Sequence, residues 1–147
     1  MAAVDVLSEI TIARPPAEVA AFASDPDNAT RWYVNIKSVA WKTPAPAVIG
    51  SQIAFTAQFL GRKLEYTYEV VDLVPGERFA MRTAQGPFPM ETTYEFTEAG
   101  GGTTRMTLRN RGEPAGFASL TAALTAQAMR RANRKDLARL KSILEAG

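Results

Sequence analysis

No proline interrupts the stretch from Ala115 to Ala146, where Ala, Leu, Arg and Lys dominate. Phe117, Leu120, Leu124, Ala128, Leu137, Leu140 and Leu144 recur there at helical spacing. At 1.5 Å per residue such a helix reaches roughly 45 Å, longer than any strand the rest of the chain can form. An apolar face of that length needs a partner that covers most of it.

The partner lies upstream, where strand signals follow one another almost without pause. The first spans Val4 to Ala13, with Val4, Val6, Ser8, Ile10 and Ile12 alternating against Asp5, Leu7, Glu9 and Thr11. Pro15-Pro16 stops it and opens a short helix carrying Val19, Phe22 and Ala23 on one face. Ser24-Asp25-Pro26 ends that helix and caps a second one, which finishes near Trp32. Further strands are expected over 34–42, 52–60, 63–74, 78–84, 88–97 and 103–111, separated by Pro- and Gly-rich turns. Short strands on short turns make an antiparallel meander. The order is one strand, two short helices, six strands and one long helix, so the class is α+β. A single domain over residues 1–147 is expected, with a curved seven-stranded antiparallel sheet wrapped around the last helix.

The residues that are missing narrow the chemistry. The chain has no histidine and no cysteine. That removes Ser-His-Asp and Cys-His catalysis, thiolate chemistry, disulfides and the usual zinc sites. No calcium loop, dinucleotide fingerprint or phosphate loop is present, and Gly100-Gly101-Gly102 runs into Thr-Thr without the lysine a phosphate loop needs. No cofactor and no metal are expected. No apolar run is long enough to span a membrane, and Met1 to Ile10 lacks the basic start of a signal peptide, so a cytoplasmic location is expected.

The concave faces of the strands are expected to carry Phe55, Phe59, Tyr66, Tyr68, Met81, Met90, Tyr94, Met106 and Leu108. Phe117, Leu120, Thr121 and Leu124 of the helix stand opposite, followed by Ala128 and Ala132. These side chains make either a solid core or the wall of a pocket. Three features favour a pocket. Buried tyrosine hydroxyls need partners, methionines adapt to irregular ligands, and Thr83, Thr92 and Asn110 add polar groups to the same faces. Such a pocket should enclose at least about 300 Å³. Glu65, Glu69, Arg82, Glu91, Glu95, Arg105 and Arg109 alternate against the apolar set and should pair across the outer face, unless a bulge turns one inward.

The chain resembles the START/Bet v 1-like (SRPBCC) superfamily, and within it the bacterial polyketide cyclase/dehydrase and lipid-transport-like proteins. The resemblance covers the whole chain in order: Pro16, Val19, Phe22, Asp25-Pro26, Trp32, Gly50, Pro75-Gly76-Glu77-Arg78 and the final helix. It implies a helix-grip fold and a hydrophobic small-molecule ligand, lipid- or polyketide-like; the inward Phe, Tyr and Met residues and the absence of His and Cys add the expectation that it is held without covalent chemistry. Expected ligand contacts are Phe55, Phe59, Tyr66, Tyr68, Met81, Phe88, Met90, Thr92, Tyr94, Met106, Phe117, Leu120 and Leu124. The segment from Asp25 through Trp32 to Tyr33, the Gly86-Pro87-Phe88 turn and the region around Phe117 would border the mouth, with Phe88 and Phe117 at the entrance.

The resemblance also leaves an enzyme open. Related aromatase-like cyclases are thought to use a pocket arginine with tyrosines and hydroxyls. Tyr66, Tyr94 and an inward Glu91 are the proton-handling candidates here, but no arginine sits clearly on the inward face. A third possibility is a chaperone- or ribosome-associated interaction module using the last helix, which carries Arg130, Arg131, Arg134, Lys135, Arg139 and Lys141 against two acids. No aromatic residue interleaves these cations, so nucleic acid is not an expected partner. A monomer and a homodimer are both compatible with the sequence.

Overall fold

The computed structural model describes residues 4–59, 61–86, 89–113 and 122–146. Seven antiparallel strands form one sheet: β1 (Val4–Ile12), β2 (Ile36–Trp41), β3 (Gln52–Phe59), β4 (Arg62–Val74), β5 (Arg78–Gln85), β6 (Met90–Gly100) and β7 (Thr103–Gly112). Their order across the sheet is β1-β7-β6-β5-β4-β3-β2. Strands β2 to β7 therefore form a meander, and β1 closes the far side by pairing with β7. Between β1 and β2 lie α1 (Pro16–Ala23), a 3-10 turn (Pro26–Asn28) and α2 (Ala29–Trp32). The long helix α3 spans Ala122–Ala146.

Local chemistry explains these boundaries. Two prolines end β1, and Pro16 starts α1 where its missing N–H costs nothing. The Asp25 side chain accepts the Asp27 N–H at 3.0 Å and caps the 3-10 turn. Gly100, Gly101 and Gly102 all have positive φ, a run of left-handed backbone that turns β6 into β7 and that side chains with a Cβ disfavour.

On β1 the pattern of Val4, Val6, Ser8 and Ile12 inward is observed. The outer face carries the expected cross-strand ion pairs: Arg105 with Glu9, Arg109 with Asp5 and Arg111 with Glu91. Strand β4 departs from simple alternation. The register with β5 shifts between Thr67 and Tyr68, and both of these neighbours are buried.

Helix α3 lies against the sheet, with its closest packing on β1. Leu137 and Leu140 enter the main core beside Ile12, Phe79, Met106 and Leu108. The buried stripe on α3 runs through Thr125, Met129, Asn133, Asp136, Leu137 and Leu140. Leu124 is one residue off this stripe, about 100° around the helix, and is 54% exposed. No described helix is long and apolar enough to cross a membrane.

Candidate functional site

A cavity of about 140 Å³ lies between the inner face of the sheet and α3. Phe55 and Phe59 reach it from β3, Tyr66 and Tyr68 from β4, Met81 and Thr83 from β5, and Met90, Thr92 and Tyr94 from β6. Asn110 contributes from β7, and Tyr33 from the end of α2. Helix α3 closes the space with Met129, Ala132, Asn133 and Asp136. The lining also includes Asp25, an exposed residue, so it reaches the surface there.

The volume falls short of the 300 Å³ expected from the sequence. Aromatic rings of the cavity wall pack on one another. Phe55 stacks on Tyr66 at 5.6 Å between centroids, and Tyr66 tilts against Tyr68 at 4.9 Å. Phe79 meets Tyr94 at 5.8 Å.

Polar groups are gathered on one part of this wall. The Tyr33 and Tyr94 hydroxyls are 2.6 Å apart. A chain of hydrogen bonds crosses three strands to the helix. Thr92 Oγ1 donates to Asn110 Oδ1 at 2.6 Å, and Asn110 Nδ2 donates to Asn133 Oδ1 at 3.1 Å. Thr92 has spent its one hydrogen, so the Tyr68 hydroxyl, 3.0 Å away, is the donor to Thr92 Oγ1. The chain ends on Asn133 Nδ2, which is buried and has no partner among the described residues.

Asp136 stands one turn further along α3, only 2% exposed. Its Oδ1 accepts the Val34 N–H at 2.9 Å. Burial pushes its carboxyl up to about 7, against the opposing pull of the Val34 N–H and of Arg139. Burial likewise pushes the Tyr68 hydroxyl up to about 12 and holds those of Tyr33, Tyr66 and Tyr94 above the ordinary tyrosine range. All four phenols are therefore neutral hydrogen-bonding groups at physiological pH. No lysine or arginine is among the described lining residues.

Several expected site residues lie elsewhere. Glu91 points to the outer face, where Arg111 binds it, and takes no part in the cavity. Met106 is fully buried in the solid core with Leu137 and Leu140 and does not line the space. Leu124 faces solvent. Trp32 is not at a mouth. It is fully buried, packed on Tyr33 at 4.1 Å and Tyr94 at 5.6 Å. Tyr33 is half-buried and belongs to the wall itself. Phe88, Phe117 and Leu120 fall outside the described residues.

Sequence reasoning passed over Asn133 and Asp136, which sit among the cations of the last helix. Their spacing carried the signal: Asn133 is four residues after Met129 and four before Leu137, and Asp136 is four before Leu140.

A second concavity, about 680 Å³, lies between α1, the loop around Pro46 and the turn at Pro75. Its lining includes Ala17, Ala20 and Trp41 but none of the tyrosines or buried polar groups. The cavity under α3 is therefore the candidate site.

Comparison with solved structures returns the same architecture. A protein from Thermus thermophilus superposes with a TM-score of 0.81 at 23% identity, covering 97% of this chain and 99% of its own. A START superfamily protein from Mycobacterium smegmatis gives 0.82 at 14% identity, covering 97% of both chains. The Zhui aromatase/cyclase from a Streptomyces species gives 0.76 at 18% identity, covering 98% of this chain and 94% of its own. At these identities the likeness shows the fold, a helix grip of the START/Bet v 1 kind. No curated protein gives a significant match. The family model described as polyketide cyclase/dehydrase and lipid transport matches residues 3–145, and the chain belongs to that family.

Proposed function

We propose that the protein binds a hydrophobic small molecule, about one ring in size, in the cavity beneath α3. The observation that carries this reading is the cavity itself: about 140 Å³ lined by aromatic and methionine side chains, with a few buried polar groups converging on it. A dry apolar cavity of about 150 Å³ is enough to hold one benzene molecule. The volume therefore favours a compact occupant over a long acyl chain. Family membership supports a ligand-binding role.

The test is to fill the space from the helix side. Ala132→Phe would place a ring where the ligand sits. The expected result is loss of displacement of an apolar fluorophore, with the far-UV circular dichroism of the native fold retained. Undiminished displacement in that variant would overturn the reading.

A second reading, cyclisation or dehydration of a small polyketide-like substrate, is favoured by one observation. Asp136 is a carboxylic acid poised to exchange a proton near neutral pH inside an apolar site. Turnover of a candidate substrate abolished by Asp136→Asn, with binding retained, would support it. Tyr66 and Tyr94 serve this reading as neutral hydrogen-bonding groups, since burial makes both phenols weaker acids than usual.

A further inference from the structure

We propose that the occupant carries a carbonyl oxygen, which accepts hydrogen bonds from both Asn133 and Asp136. The inference rests on the proposed binding role of the cavity and adds the chemical class of the ligand: a ring-sized ketone in preference to a hydrocarbon, a carboxylic acid or an amine.

Two observations meet at the same place. The first is the direction of the polar chain. Each member from Tyr68 through Thr92 and Asn110 passes its hydrogen to the next, so the end at Asn133 holds an N–H that nothing among the described residues receives. Asn133 is only 3% exposed, and a donor left unmet at that depth keeps its full desolvation penalty. A ligand acceptor would remove that cost.

The second is the way Asp136 is held. The Val34 N–H occupies Oδ1, so in the neutral acid the proton belongs on Oδ2, which has no hydrogen bond to the protein among the described residues. Burial favours that neutral form. Asn133 and Asp136 are three residues apart on the same face of α3, and both line the cavity. The helix thus carries both groups on the wall of one cavity, where a small turn of the buried Asn133 amide would present its N–H to an occupant. A carbonyl oxygen has two lone pairs and can accept from both.

Competing ligands fit less well. A carboxylate would meet Asp136 with no lysine or arginine among the described lining residues to balance it. An ammonium would pair with ionised Asp136 but leave the Asn133 N–H unmet.

The prediction for pH follows from the groups that face Asp136. These are the Tyr33 hydroxyl at the end of α2, Tyr66 on β4, Tyr94 on β6 and Arg139 on α3 itself. The tyrosines stay neutral between about pH 5 and 9, because burial raises all three. Asp25, the other acid of the lining, is exposed. Asp136 is therefore the group that changes, and raising the pH through about 7 removes its donor hydrogen.

The experiment compares four probes on one scaffold by calorimetric titration of the full chain. Acetophenone and α-methylstyrene differ only by oxygen against CH2, while 1-phenylethanol keeps an acceptor oxygen but adds a hydroxyl hydrogen that needs its own partner, and 1-phenylethylamine, as an ammonium, offers donors alone. At about pH 5.5 acetophenone should bind roughly tenfold tighter than α-methylstyrene, and tighter than the alcohol and the amine. The margin should shrink towards about pH 8.5. Asp136→Asn keeps a donor that does not titrate, so its preference for the ketone should persist at both pH values. Asn133→Leu should reduce the preference without abolishing binding of α-methylstyrene. Equal binding of the ketone and the hydrocarbon, or tighter binding of the alcohol or amine, would overturn the carbonyl assignment while leaving the cavity role intact. Binding of none of the four would overturn the cavity role itself.

Discussion

The two halves of α3 face the same sheet and do opposite things. From Leu137 onwards the helix is packed solid, with Leu137 and Leu140 sealed against Ile12, Phe79 and Met106. From Met129 to Asp136 it fronts a cavity and carries two buried polar side chains, one with an N–H that no described residue accepts and one with a carboxyl that burial pushes up to about 7. One half contributes stability, while the other gives some up to keep a space open. Proteins that bind ligands commonly divide the work this way.

Truncating the packed half should have the largest effect. Leu140→Ala, at a fully buried position, should lower unfolding free energy by up to about 5 kcal/mol. Probe affinity per folded molecule should stay unchanged. A small loss in urea denaturation would mean that this half is also loosely packed.

Next in size is the cavity half. The folded-state pKa of Asp136 lies above that of an unfolded aspartate, so folding favours its protonated form. The corresponding stability is present below about pH 4 and is lost as pH rises to about 7. Asp136→Asn should therefore stabilise the protein at about pH 8 by on the order of 3 kcal/mol. The gain should vanish by about pH 4, as read from denaturant midpoints across the range. A variant destabilised at the alkaline end would show that the carboxylate has a partner that holds it in its charged form.

The smallest effect belongs to the outer face. Arg105 and Glu9 form an ion pair in which both side chains are more than half exposed. Arg105→Gln should leave the melting temperature within experimental scatter, because such pairs gain little over solvation. A clear drop would make the outer face a third region with its own energetic role.

Much of this division could be read from the sequence, and for physical reasons. Period-two alternation placed Phe55, Tyr68, Met81, Thr92 and Tyr94 inward, because the pleat leaves a strand residue only two faces. The same rule placed Arg105 and Arg109 outward. Thr67 escaped it, because a register shift between β4 and β5 buries Thr67 and Tyr68 together. The alternation cannot foretell a bulge. Cavity volume escaped for a different reason. It depends on how Phe55, Tyr66 and Tyr68 tilt on one another, and ring orientation has no sequence signature. Asp136 was obscured by its neighbours: beside Arg134, Lys135 and Arg139 it looks like one more solvated charge, and only its place on the stripe of Met129 and Leu140 separates it from them.

The pairing of β1 with β7 has a consequence for how the chain is made. Val4 finds its partner at Gly112 and Ile12 at Thr104, so the strand of this sheet that is synthesised first is among the last to be satisfied. While the meander assembles from the ribosome, Val4, Val6 and Ile12 wait as an apolar edge with open backbone groups. Such an edge can recruit another nascent chain. Closure across so much intervening sequence also makes for slow folding. Alternation with Asp5 and Glu9 places two charges along that waiting edge, which hinders edge-to-edge association until β7 arrives and Arg109 and Arg105 take them up.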